Sequence, residues 1–313
     1  MVLLAMTLKQ LEYFVRIAEL GSFTKAALAM AVAQPALSRQ LRQLEVELRQ
    51  SLFVRNGRGA VPTEAGARLL GHARGILHQV ARARDELAGA RDALSGRVAI
   101  GLPPSIAKAI TIRFIRQFMK SLPQASLSIT EGLSLDMREW LLVGRLDLAL
   151  LYNPAISPEL DITPLIDEEL FLIARRQTVG VPRRASLPSG KPVDLKDVAN
   201  MPLIIPNRPH ALRMLVDAQL ATVARTPTVA LQIDSVAAIL ELVSEGAGVA
   251  ILPLNAIRMT SRPQALTARR IVNPQVISQL VIAVSSKRPI TLTQQEALKM
   301  IKGLGRNMFA AAT

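Results

Sequence analysis

From Ser22 to Leu41 the chain runs Ser-Phe-Thr-Lys-Ala-Ala, breaks, and resumes Gln-Pro-Ala-Leu-Ser-Arg-Gln-Leu, a pattern that leaves few folds open. Ser22 can accept a bond from a first-turn N–H, and Ala26, Ala27, Leu28 and Ala29 continue a short helix of mostly small side chains against which another helix can pack closely. After a turn near Val32-Ala33, Pro35 suits the start of a second helix, where its missing N–H costs nothing. Leu37, Leu41, Leu44 and Leu48 recur at steps of four and three, so one stripe faces a core while Ser38, Arg39 and Arg42 point elsewhere. An exposed helix start with Gln34, Ser38 and Arg39 offers donors to base edges and phosphates of double-stranded DNA. Taken alone, the segment also fits an ordinary amphipathic helix with solvated arginines.

The flanking sequence supports the first reading. Thr7-Leu8-Lys9-Gln10 has the spacing of a capping box and opens a helix to about Leu20, with Leu8, Leu11, Val15 and Ala18 on one side. That helix supplies a third wall to the two-helix unit. Downstream, Leu52-Phe53-Val54-Arg55 and Ala60-Val61-Pro62 flank the turn sequence Asn56-Gly57-Arg58-Gly59. The expected hairpin is a wing, with Arg55 and Arg58 near its strand ends to reach phosphates, although an ordinary surface hairpin has the same signature.

Residues 7–66 resemble the winged helix-turn-helix of the LysR-type transcriptional regulators. The resemblance rests on Leu11-Glu12-Tyr13-Phe14, Gly21 to Ala27, Gln34 to Leu41, Leu44-Glu45, Leu52 to Arg55 and Thr63-Glu64-Ala65-Gly66. Pro62 departs from it, standing where the family usually has leucine before the threonine. The resemblance implies that Gln34, Pro35, Ser38 and Arg39 carry base and nearby phosphate contacts, with Arg42 beside them and Ser22, Thr24, Arg55 and Arg58 in support.

Thr63 can cap a helix over 64–94 whose apolar series Leu69, Ala73, Ile76, Val80, Ala83, Leu87, Ala90 and Leu94 alternates steps of four and three. Such a seam predicts a helix–helix interface between two copies. Resemblance to the family agrees: linker helices pair antiparallel into a homodimer, two dimers make a homotetramer, and RNA polymerase is a further expected partner. Arg68, Arg74, Arg82, Arg84 and Arg91 lie along this helix and should stay solvated.

At 313 residues with a net charge of +14, the chain has room for two or three domains and favours an anionic partner, though the excess is spread throughout. It has no cysteine, hence no disulfide framework or thiol chemistry. The uncharged run from Ile271 to Ser286 is too short and polar to span a membrane, and Met1–Ala5 is too short for a signal peptide, so a cytoplasmic, membrane-free protein is expected.

Beyond Ser95 strands and helices alternate. Strands are predicted at Val98–Leu102, Ser126–Ile129, Leu146–Leu151, Phe171–Ala174, Leu203–Ile205, Val229–Ile233, Val249–Leu252 and Leu280–Val284, with helices at about 105–120, 134–144, 208–224, 235–246 and 291–308. This reads as α/β with parallel sheets. The whole chain is therefore expected to be multidomain: a winged helix-turn-helix domain (6–63), a linker helix (64–94) and an effector domain (95–313). Resemblance to the family divides the last into two periplasmic-binding-protein-like lobes, about 96–164 with 270–313 and about 165–269. The crossings would fall near Ile162–Ile166 and Leu266–Ile271.

Ligands in α/β sheets sit at the carboxyl ends of strands, where helix N-termini present free N–H groups. Pro104, Ser105, Leu133, Ser134, Asn207, Arg208 and His210 follow strands in this way and are the expected effector contacts, Ser105 and Ser134 doubling as N-caps. A helix terminus contributes at most roughly 2 kcal/mol to an anion, whereas micromolar affinity needs about 8. Apolar walls such as Ile106, Leu133 and Leu254 must share the work, so the effector is expected to be a small organic anion or polar metabolite with an apolar body. Leu102–Ser105, Glu131–Ser134, Glu139–Leu142 and Pro206–His210 look similar to the branch containing the nitrogen assimilation control regulators.

A solute receptor without DNA regulation is the rival reading of the carboxyl-terminal two-thirds. An enzyme fits less well: the histidines are His72, His78 and His210, the first two do not share a helix face, and no glycine-rich phosphate loop follows a strand. No cofactor or metal is expected.

Overall fold

The structure, a computed structural model, describes residues 6–56, 59–87, 94–176 and 188–310. Three helices open it: α1 (Leu8–Leu20), α2 (Phe23–Ala29) and α3 (Gln34–Leu48). Thr7 and Gln10 form the reciprocal capping box, and Gly21 ends α1 in the left-handed conformation at φ 61°. Ser22 caps α2 through Lys25 N–H. The turn into α3 passes through Ala31 at φ 53°, slightly earlier than the sequence suggested. Leu11, Phe14, Ile17, Leu37, Leu41 and Leu44 form a core almost without exposure. Strands β1 (Phe53–Asn56) and β2 (Gly59–Pro62) pair antiparallel, and Ala60 N–H donates to Gly21 O, tying the hairpin to the end of α1.

Helix α4 (Glu64–Leu87) begins with Thr63 Oγ1 accepting from Gly66 N–H. Its first turns close the amino-terminal core through Leu69, Leu70, Ala73 and Leu77. This corrects the expected interface seam at its start, because Leu69 and Ala73 are spent on the chain's own core. Ile76 and Ala83 are exposed and Val80 half-buried; Leu94 lies past the described helix, and Ala90 and Arg91 lie outside the described residues.

The remaining chain has one sheet in the order β4 (Ala125–Glu131), β3 (Gly96–Leu102), β5 (Leu148–Tyr152), β12 (Ile277–Ser285), β6 (Leu160–Arg175), β11 (Leu266–Val272) and β7 (Val193–Asp194), with β10 (Ala250–Pro253) also on β6 and a separate pair of β8 (Leu203–Ile205) and β9 (Val229–Gln232). Strands β3 (Gly96–Leu102), β4 (Ala125–Glu131) and β5 (Leu148–Tyr152) are parallel, but β12 (Ile277–Ser285) runs antiparallel to β5 and β6. The sheet is therefore mixed rather than parallel. Helices α5 (Pro104–Ser121), α6 (Ser134–Leu142) and α10 (Leu292–Ala310) complete the first lobe. Alternation along β3 sends Val98, Ile100 and Leu102 into one core, with Phe114 and Phe118, and Ala99 into the other, with Met137 and Leu141.

Strand β6 (Leu160–Arg175) is a single strand that serves both lobes, so Phe171–Ala174 is its second half and not a separate element. Its first half pairs with β12, slipping one residue at Leu165, and its second half pairs antiparallel with β10 (Ala250–Pro253) and β11 (Leu266–Val272). The expected crossing at Leu266–Ile271 is displaced accordingly: Ile271 and Val276 are buried in the second lobe's core beside Leu170 and Leu172, and the chain returns only into β12. Strands β7 (Val193–Asp194), β8 (Leu203–Ile205) and β9 (Val229–Gln232), with helices α7 (Leu195–Val198), α8 (Ala211–Thr222) and α9 (Val236–Glu245), build the rest of that lobe. Among the described residues no helix is long and apolar enough to cross a membrane.

Candidate functional site

Two surfaces concentrate functional chemistry. On the first, α3 buries Leu37, Leu41 and Leu44 and turns Gln34, Pro35, Arg39 and Arg42 to solvent, with Ser38 half-buried beside them. Ala33 precedes the helix and makes no side-chain cap bond; Pro35 has no N–H and Ala36 N–H donates to Ala33 O at 3.0 Å, so Gln34 N–H is the first-turn donor left to meet an anion. Among the described residues neither Arg39 nor Arg42 forms an ion pair. Thr24 is exposed on the first turn of α2, whereas Ser22 is occupied as that helix's cap. Arg55 lies on β1; Arg58 lies outside the described residues. Helix α2 packs against both α1 and α3, and Phe23 at its start meets Phe53 of β1 edge-on, which fixes the hairpin to the same three-helix unit.

The second is a cavity of about 340 Å³ between the lobes. Pro104 and Ser105 of α5, Leu133 and Ser134 at α6, and His210 at α8 line it. Asn207 and Arg208 do not: Asn207 donates to Asp234 through both its backbone N–H and side chain, and the Arg208 guanidinium is paired with Asp217 at 2.7 Å. Ile106 and Leu254 are also absent from the lining, Ile106 because it is buried in the first-lobe core. The helices α5 and α6 start after Pro103 and Leu133, neither with a side-chain cap, so Ser105 and Ser134 are not N-caps. Ser134 Oγ instead accepts from Tyr152 N–H at 2.9 Å.

Several lining residues carried no sequence signal. Tyr152 ends β5, Leu170 on β6 and Ser278 on β12 contribute to the floor, and Asp234, Val236 and Leu252 come from the second lobe. His210 Nδ1 accepts from Leu212 N–H, which puts the ring proton on Nε2, and burial lowers the imidazole's pKa against the opposing pull of Asp234. Beneath the floor, Glu168 accepts from Tyr152 Oη at 2.8 Å and Asn255 Nδ2 at 2.5 Å. Burial raises that carboxyl to about 7, the Tyr152 bond acting the other way. Among the described residues lining the cavity none is Lys or Arg, and no group of His, Cys, Asp or Glu among the described residues could hold a metal.

A winged three-helix head joined through a helix to a two-lobed domain with an interlobe cavity defines a DNA-binding regulator with a ligand-sensing module. Residues 8–67 match the bacterial regulatory helix-turn-helix proteins of the lysR family, and residues 91–305 match the LysR substrate binding domain. The chain belongs to the LysR family of transcriptional regulators. It is 33% identical over 297 residues to the nitrogen assimilation regulatory protein nac of Klebsiella aerogenes, covering 95% of this chain and 94% of that one. The Escherichia coli protein of that name is 32% identical over 295 residues, covering 94% and 93%. Among solved structures, full-length CbnR in complex with its target DNA has a TM-score of 0.66 at 24% identity, covering 97% of this chain and 100% of that one. A full-length OxyR variant from Pseudomonas aeruginosa has a TM-score of 0.64 at 24% identity, covering 96% and 95%. At these identities the structures speak for the fold.

Proposed function

We propose that this regulator binds an interrupted inverted repeat as a dimer joined through α4, probing base edges with Gln34, Ser38 and Arg39, and that the interlobe cavity takes a small effector with an apolar body. The carrying observation is the start of α3: an uncapped first turn with Gln34 and Arg39 exposed, seated on the buried Leu37-Leu41-Leu44 stripe. That geometry lets the helix enter the major groove without disturbing its own core. Lys25 and Arg42 add phosphate contacts that position the reader and make affinity salt-dependent.

In this reading residues 6–63 are the DNA-binding domain, 64–94 the linker and 95–313 the effector domain, and the protein works in the cytoplasm. The exposed Ile76, on the outer side of the turn where Leu77 still packs into the head, and the half-buried Val80 beyond it support pairing with a second copy. Two such dimers form a tetramer whose geometry the effector shifts by favouring one lobe arrangement, which alters DNA bend and contact with RNA polymerase. Footprinting on the DNA upstream of the protein's own gene, with and without a metabolite panel, tests this. Two protected half-sites related by a dyad, with spacing that changes on addition of one compound, is the expected result; protection of a single undivided site overturns the dimer, and identical footprints throughout overturn the effector role.

A further inference from the structure

Glu168 is a buried acid without a task in the reading above. On β6 it precedes Leu170 by two residues and stands directly opposite Ser278 of β12, and both Leu170 and Ser278 line the cavity. The strand period of two places all three on one face. The carboxyl therefore stands just beneath the cavity floor, outside the lining itself and only 6% exposed, bonded to the lining residue Tyr152 at the point where β6 passes from one lobe to the other.

Its neighbours leave it without a counter-charge. Tyr152 on β5 and Asn255 after β10 are neutral donors. Asp234, ahead of α9, adds a second acid to the lining and His210, at the start of α8, is held toward its neutral form by burial. No Lys or Arg among the described residues pairs with Glu168. An anionic head entering this cavity meets two acids and gains only the first turns of α5 and α6. A cationic head gains the reverse: a desolvated carboxylate regains the ion pair that its burial denies it.

Resting on the effector reading of the cavity, we propose that the bound molecule carries a primary ammonium group received at Tyr152 Oη with the Glu168 carboxylate directly behind it, its apolar body lying against Leu133, Leu170, Val236 and Leu252. The ammonium is the shared chemistry of a simple amine and of an amino acid. In the amino acid, the carboxylate would face the uncapped starts of α5 and α6.

The full-length protein, titrated calorimetrically with matched probes, separates these cases: hexylamine and phenethylamine, phenylalanine and norleucine, hexanoate and 3-phenylpropionate. The expected result is binding by an amine or its amino acid, with no binding by the matched carboxylate. Because burial holds the free carboxyl's pKa up toward about 7, cation binding should release protons across pH 5 to 8, in a count that falls as pH rises, read as the dependence of the heat on buffer ionisation enthalpy. Glu168→Gln should weaken that binding by about tenfold or more and remove the proton release. The wild-type proton count needs no variant, so it decides the matter even if Glu168→Gln does not fold.

Carboxylate binding without amine binding overturns the ammonium assignment and leaves the effector reading standing. Amine binding with no proton release anywhere between pH 5 and 8, or unchanged by Glu168→Gln, also overturns it. Failure of all six probes overturns the assignment, and the effector reading is then judged by the metabolite footprints alone.

Discussion

The imidazole of His78 on α4 meets the carboxylate of Asp147, just before β5, with Nε2 at 3.1 and 3.2 Å from its two oxygens. Both side chains are buried, and Asp147 also accepts from Ala99 N–H at 2.8 Å. One turn earlier on α4, a Cβ on Gly75 would stand 2.0 Å from Val143 O, and one residue after His78, Gln79 donates to Gly144 O. The linker helix is thus seated on the first lobe by backbone approach and a buried polar pair. His78→Ala removes one partner of a buried carboxylate and should cost about 1–3 kcal/mol in urea unfolding. It should also leave operator affinity in place while reducing any effector-induced change in footprint. A variant as stable as wild type would show that the pair is not part of the seat.

Arg39→Ala tests the reader. The side chain is exposed and carries no ion pair among the described residues, so folding should be unaffected. On the cognate site the loss should be about 1–3 kcal/mol if the guanidinium reads a base. Gel shifts on operator and scrambled DNA check this, since an equal loss on both assigns Arg39 to phosphate.

What the chain discloses before folding is local. Thr7, Gln10, Ser22, Thr63 and the leucines of α3 act within a few residues, so caps, turns and buried stripes were readable as spacing. Strand β6 was not, because its continuity from Leu160 to Arg175 depends on β12 pairing with one half and β10 and β11 with the other. The run Asp167-Glu168-Glu169 looks like a solvated turn until those partners bury its middle residue. Strand-to-helix junctions pointed to Pro104, Ser105, Leu133 and Ser134 at the cavity, whereas Tyr152, Asp234 and Ser278 arrive from three distant segments that only tertiary packing unites. Arg208 misled because a basic side chain at a helix start suggests an anion site, yet Asp217 one helix turn beyond Arg213 engages it.

Glu168 makes stability depend on pH with a defined sign. Its folded pKa of about 7 lies above the ordinary value of 4.5, so the folded state holds the extra proton between these limits. The contribution of this one group is fullest below about pH 4.5 and is lost as pH rises to about 7, by about 3 kcal/mol at most. Glu168→Gln should flatten that slope. Urea unfolding at pH 5 and pH 8 on both proteins checks it, and parallel pH dependences would show that Glu168 does not control this interval.

Leu69 and Ile76 lie seven residues apart on the same helix, yet their surroundings differ. Leu69 packs into the amino-terminal core, while Ile76 is 37% exposed within one chain. If α4 pairs with a second copy, Ile76→Glu places a charge in the interface and should shift the protein toward monomer in sedimentation, with the head still folded. Operator binding should then weaken by more than the loss of a single base contact, because two half-sites are no longer linked at high effective concentration. Leu69→Glu should do something else: it sets a carboxylate against the amino-terminal core and destabilises the head itself, seen as an early thermal transition. A dimer that survives Ile76→Glu but dissociates with Leu69→Glu would move the interface onto the head and away from the exposed middle of α4.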